Sequence, residues 1–136
     1  MTMNRSFAVP DSIAIQVEDR YLDLHNDFHL ARIGRNEGEC EIMLVFEKES
    51  GEWVHRTDPA IFHICFNGVT HLKHSFEELD SVPAEVDEIG FKNPDDANYD
   101  WLMDEDEAEP TDHLVFRFVN DEYLRIFAKE AVIKIP

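Results

Sequence analysis

The sequence predicts a mainly-β protein with a minor helical part: an antiparallel meander of about seven or eight strands with one or two short helices. Three observations carry this. Apolar residues alternate with polar ones through several stretches, as in Ile13, Ile15 and Val17 or Leu114, Phe116 and Phe118. Ile42 to Phe46 is apolar without interruption, as befits a central strand covered on both faces. Gly- and Asn-containing turn signals separate these runs. At 136 residues, with ten Phe and no visible linker or repeat, residues 1–136 are expected to form a single domain.

Taken in order, residues 1–10 read as a loose lead-in and 12–17 as a strand. Residues 18–26 are polar punctuation broken by Tyr21, Leu22 and Leu24, with room for a short helix. Residues 27–34 and 39–48 form a hairpin around Arg35-Asn36-Glu37-Gly38. Glu49-Ser50-Gly51-Glu52 is a turn, followed by a polar segment around Trp53. Residues 61–66 are a strand with Phe62, Ile64 and Phe66 on one face. Asn67-Gly68 then signals a hairpin with 69–74 returning; a bulge at Gly68 that lets one strand run on is the alternative. Ser75-Phe76-Glu77-Glu78 has capping-box spacing, which suggests one helical turn through Leu79. Residues 86–91, 113–119, 123–129 and 131–135 complete the strands, with Asn120-Asp121-Glu122 as a turn.

Charge is concentrated in one place. Residues 75–112 hold fifteen acids against Lys92 alone, so this stretch carries −14 of the net −18. Residues 93–112 form an acidic insertion within the domain. Asn93 suits an N-cap, Pro94 a first helical position, and Asp95 and Asp96 the positive end of the dipole. A helix over 94–103 is therefore expected, docked by Tyr99, Leu102 and Met103, with residues 104–110 fraying into a mobile loop. In that geometry Trp101 stands outward as an anchor, with Asp100, Asp104, Glu105 and Asp106 as its acidic rim. The plainer alternative is a solvated loop with Trp101 tucked against the sheet, its charge serving only solubility.

The charge also excludes classes of function. A pI near 4.5 argues against nucleic acid and against an anionic membrane surface, and leaves a basic protein as the electrostatic partner. No run approaches 18 apolar residues and no signal-peptide segment is visible, so the expected location is cytoplasmic. Cys40 and Cys65 lack the spacing of a disulfide framework or zinc knuckle and are expected to be reduced core thiols.

Chemistry finds little support. His25 and His29 lack the Glu of a zinc-protease helix, His71 and His74 fall on opposite faces of a strand, and His63 with Cys65 makes only two ligands. Asp104-Glu105-Asp106-Glu107 lacks the glycine and alternation of a calcium loop. There is no G-x-S-x-G and no phosphate-cradling loop. No cofactor, metal or catalytic residue is expected.

Leu24-His25-Asn26-Asp27, Ile42 to Phe46, Phe66-Asn67-Gly68-Val69 and Tyr123 to Ala128 together resemble small acidic bacterial proteins of the toxin-immunity and uncharacterised-domain type. Asn26 separates the His-Asp pair of that pattern, so no functional residue carries over. The resemblance implies a β-rich cytosolic partner-binding protein without cofactor. The expected function is thus a non-enzymatic binding protein, in one form an immunity protein neutralising a basic toxin. A small metal-dependent or acid–base enzyme is the alternative, and a self-associating module with an unpaired edge at 131–135 is a third.

Overall fold

The computed structural model describes residues 2–50, 58–83 and 85–136. Within them the mainly-β expectation holds. Ten strands run in chain order: β1 (Asn4–Arg5), β2 (Ala8–Asp11), β3 (Ala14–Val17), β4 (Arg20–Asp23), β5 (Phe28–Glu37), β6 (Cys40–Lys48), β7 (Ile61–His74), β8 (Val86–Lys92), β9 (His113–Phe118) and β10 (Tyr123–Lys134). Among the described residues the only helical turn is a 3-10 turn at Glu105–Glu107. The larger sheet has the order β5-β6-β7-β10-β9-β8, with β1 joining β10 in parallel; β2-β3-β4 form a smaller antiparallel sheet. The step from β7 to β10 breaks a simple meander, because β8 and β9 enter the sheet from its far edge.

The core lies between the inner face of the large sheet and the small sheet. Phe46, Phe62, Ile64, Phe116 and Ile126 from the first meet Val9, Ile15 and Leu22 from the second. Rings reinforce it: Phe46 stacks on Phe62 at 5.1 Å, and Phe28 meets Phe62 edge-on at 4.9 Å. The apolar run Ile42 to Phe46 is buried on both faces of β6, which lies between β5 and β7. Its outward residues Met43 and Val45 cluster with Cys40 and Cys65.

Several local expectations change. The lead-in contains β1 and most of β2, and residues 18–26 contain β4 in place of a short helix. The β1 pairing is fixed by distant contacts, such as Ser6 N–H donating to Ala131 O at 3.0 Å, whereas β4 returns locally on β3 through a tight turn at Glu18 and Asp19. The β5–β6 turn is tighter than expected, with Glu37 paired to Cys40 across Gly38 and Glu39. Asn67-Gly68 is not a hairpin. β7 runs on through it, with Gly68 at φ +68°, because β10 offers a continuous partner along β7; the register shift comes just beyond, where Thr70 is the extra residue of β7 opposite the step from Phe127 to Ala128. Residues 123–134 are likewise one strand. The capping box at Ser75 makes no helix, since the Ser75 hydroxyl is bonded to Glu122 and accepts from Tyr123 N–H at 2.8 Å. The turn at 49–52 and the segment around Trp53 lie wholly or largely outside the described residues.

Cys40 and Cys65 are joined in a disulfide, contrary to the expectation of reduced thiols. The 25-residue separation carries no disulfide signature in sequence. Pairing of β6 with β7 nevertheless brings the two Cα atoms to 5.2 Å, inside bonding range.

Candidate functional site

Alternation gives the large sheet a second, outer face, and on β7 to β10 that face is cationic. Cross-strand pairing sets Lys92 beside His113, Glu88 beside Arg117, and Arg125 between Val115 and Lys73. His71 is paired with Phe127 one row further on. Four of these residues carry fixed positive charge in a chain of net −18. Residues 93–103 lie across this strip as a strap, and opposite charges meet face to face.

The strap is not the expected helix. Asn93, Asp96 and Asn98 each turn a side-chain oxygen onto the backbone N–H two residues ahead, at 3.0, 2.8 and 2.9 Å. Such Asx turns compete directly with the i to i−4 ladder. The carbonyls a helix would need are also taken. Arg125 donates to Asn93 O at 2.8 Å, Pro94 O at 3.2 Å and Asp96 O at 2.5 Å. Arg117 donates to Tyr99 O at 3.0 Å and Asp100 O at 3.1 Å. Two arginines of the sheet therefore read the strap backbone and fix its path.

Arg125 is the hub. It is 3% exposed and uses every donor of its fork, the last two on Tyr99 Oη at 3.1 Å and His113 Nδ1 at 2.8 Å. A guanidinium only donates, so His113 accepts at Nδ1 and is the neutral tautomer protonated at Nε2. Burial first, then Arg125 and His71, push the His113 pKa down to about 4. His71 packs on His113 with ring centroids 4.5 Å apart, and it is lowered too, mainly by burial. Its Nε2 is buried with no hydrogen-bond partner among the described residues.

Three further contacts seat the strap. Lys92, 0% exposed, places Nζ 3.4 Å from Asp96 Oδ2 and 3.3 Å from the Trp101 ring centroid. Asp96 is lowered by the Asn98 N–H, and further by Lys92 and Arg125. Tyr99 stacks on Tyr123 at 3.9 Å, so it docks as expected, but on the outer face. Met103 pairs with Phe91 through reciprocal backbone bonds of 3.0 and 2.9 Å, covering part of the outer edge of β8. Gly90 makes that approach possible: a Cβ there would lie 2.7 Å from Leu102 Cβ and 2.8 Å from Met103 O.

The sequence-predicted site residues separate into two groups. Trp101 is 49% exposed, one indole face on Lys92 and the rest toward solvent. Asp100, Asp104 and Asp106 are exposed around the same stretch. Glu105 departs from the expected rim, because it folds inward to Arg5 Nη1 at 2.5 Å and Val9 N–H at 2.9 Å. It pins the 3-10 turn to the small sheet, so residues 104–110 are a docked turn and not the expected frayed loop. Sequence reasoning missed Lys92, His113, Arg117 and Arg125 altogether. Their signal was the second face of β9 and β10, where Val115, Tyr123 and Phe127 alternate with Arg and His. A solvated face carries fewer apolar residues.

Other histidines are engaged singly: His25 Nδ1 at 2.9 Å from Val86 O, His29 between Glu47 and Glu49, and His74 Nδ1 at 2.7 Å from Phe76 O. Among the described residues no three His, Cys, Asp or Glu are grouped to hold a metal. None of them forms a helix long and apolar enough to cross a membrane. Comparison with family models, curated proteins and solved structures finds no match to the chain.

Proposed function

We propose that the chain is a non-enzymatic binding protein that presents the outer surface of its acidic strap to a basic protein. The observation that carries this reading is Trp101, half-exposed among the exposed carboxylates of Asp100, Asp104 and Asp106, on a backbone held by Arg117 and Arg125. An aromatic anchor on a rigid support loses little conformational entropy on binding. Surrounding acids steer a cationic partner and raise its association rate. Glu105 contributes by holding the turn and not by touching the partner.

An immunity protein is one concrete form: an acidic plug for the positive, nucleic-acid-binding cleft of a toxin. Cytoplasmic action belongs to the same proposal, and the state of Cys40 and Cys65 in cells tests it, because reducing compartments keep thiols free. The edge at 131–135 gives little support to self-association, since β1 and Ser6 already occupy part of it, with Ile133 N–H on the Ser6 hydroxyl at 2.9 Å.

The test is interferometry of the purified chain against the proteins encoded beside it, at rising salt. The reading expects a basic protein among them whose association rate falls steeply as the Debye length shrinks below about 10 Å. Binding should be lost with Trp101→Ala and with Asp100→Lys/Asp104→Lys. Binding that survives both changes, or that ignores salt, overturns the assignment.

A further inference from the structure

The strap's principal tie, Arg125, is itself hydrogen-bonded to an imidazole that can take up a proton at the bonded nitrogen. We propose that the Arg125–His113 hydrogen bond is a proton-sensitive latch, and that protonating His113 releases residues 93–103 from the outer face of the sheet. This deepens the binding reading by supplying its regulation, since release would disperse the Trp101 surface. The latch itself requires no partner.

The geometry sets the direction. Arg125 Nε donates to His113 Nδ1 at 2.8 Å, a bond available only while Nδ1 is unprotonated. A proton there replaces an acceptor with a donor and sets two cations in contact. The other charged groups around His113 do not offset this. Its cross-strand neighbour on β8 is Lys92, while Lys73 on β7 is paired with Arg125. His71, also on β7, packs on the ring and is itself disfavoured as a cation. Arg117 lies further along the same face of β9. Over the strap side, Asp96 is committed to Lys92 and Tyr99 offers a hydroxyl to Arg125. Asp112, adjacent in sequence, is the carboxylate that favours the cation; its Oδ2 accepts from Glu109 N–H at 2.7 Å, and its pull on His113 is smaller than the opposing effects. Arg125 can relieve the repulsion only by leaving His113. The carbonyls of Asn93, Pro94 and Asp96 are fixed through the same guanidinium, so their positions change with it.

Magnitude follows from linkage. The latched imidazole has a pKa of about 4, and a released one returns to about 6.5. Proton binding then favours the released state by roughly 20-fold more at pH 5 than at pH 7.

The experiment is fluorine NMR of the whole chain carrying 5-fluorotryptophan, with the Trp101 signal assigned by Trp101→Phe. Between pH 7.5 and 4.5 the Trp101 resonance should move or broaden while far-UV circular dichroism stays constant. His113→Asn keeps a neutral acceptor near the Nδ1 position and should abolish the transition, whereas His71→Asn should retain it. Arg125→Lys cannot serve His113 and the strap carbonyls together, so its Trp101 signal should sit at the acid position already at pH 7.5. This variant decides the matter if His113→Asn fails to fold. A His113→Asn titration identical to wild type overturns the latch. So does a wild-type signal that stays flat until the sheet melts, or an Arg125→Lys signal at the neutral position. None of these readouts involves a partner, so failure of the latch and failure of the binding assignment are separable.

Discussion

Arg125→Met tests how much of the strap's order comes from one side chain. The substitution keeps the aliphatic stem and removes five hydrogen bonds, to Asn93 O, Pro94 O, Asp96 O, Tyr99 Oη and His113 Nδ1. Bonds from a charged donor contribute about 1.5–3 kcal/mol each, but they are not additive. Asn93 and Pro94 are exposed, so their carbonyls regain water on release and that part of the loss is small. The buried guanidinium has no carboxylate within salt-bridge distance among the described residues, and removing it also recovers its desolvation cost. What remains is chiefly the bonds to His113 and Asp96, or about 2–3 kcal/mol. For a chain of this size that lowers Tm by roughly 6–12 °C. Thermal denaturation at pH 7.5 measures it, and hydrogen exchange locates it. Amides of Asn98, Asp100 and Met103 should lose protection while those of β6 keep theirs. A Tm within about 2 °C of wild type, with strap protection intact, would refute the hub role of Arg125.

Gly90→Ala drives a methyl group into Leu102 and the Met103 carbonyl, and should cost about 1–3 kcal/mol by overpacking. The check is loss of protection at Met103 N–H, which pairs with Phe91 O at 2.9 Å. Replacing both cysteines by Ser opens a loop closed over 25 residues, for which chain entropy predicts about 3.5 kcal/mol of destabilisation, read by urea titration against the oxidised protein. His113→Asn should flatten the acid limb of stability. The folded-state pKa of about 4 lies below the unfolded value, so wild-type stability is full above about pH 6.5 and declines as pH falls toward 4. Chemical denaturation at pH 7 and pH 5 gives the comparison.

Where a strand has one apolar face, the sequence discloses it. The alternations of 12–17, 61–66, 86–91 and 113–119 correspond to β3, the first half of β7, β8 and β9, and Ile42 to Phe46 is buried on both faces. Decisions made between distant segments were not legible. Whether Asn67-Gly68 turns or lets one strand run on depends on β10, and whether Cys40 meets Cys65 depends on the pairing of β6 with β7. The strap is the clearest case. Asn93-Pro94-Asp95-Asp96 is a sound helix start by local rules, yet its carbonyls are taken by Arg125, whose position on β10 no local pattern reveals. Helix geometry is not what turns Trp101 outward, since residues 94–103 form no helix. It lies outward because Lys92 occupies its inner face. The acid count was equally incomplete: Asp87, Glu88, Asp96 and Glu105 are paired with Arg117, Lys92 and Arg5, so the charge offered to a partner is smaller than the sequence suggests.

Residues 93–103 form an ordered, non-helical strap held on the cationic face of the sheet. Backbone carbon chemical shifts and amide exchange of those residues, measured by NMR on the intact protein at pH 7.5, report on it without any substitution. Non-helical shifts are expected throughout, with slowed exchange at the Asn98, Asp100 and Met103 amides. A continuous run of helical shifts from Pro94 to Met103, or random-coil shifts with unprotected amides, would contradict it.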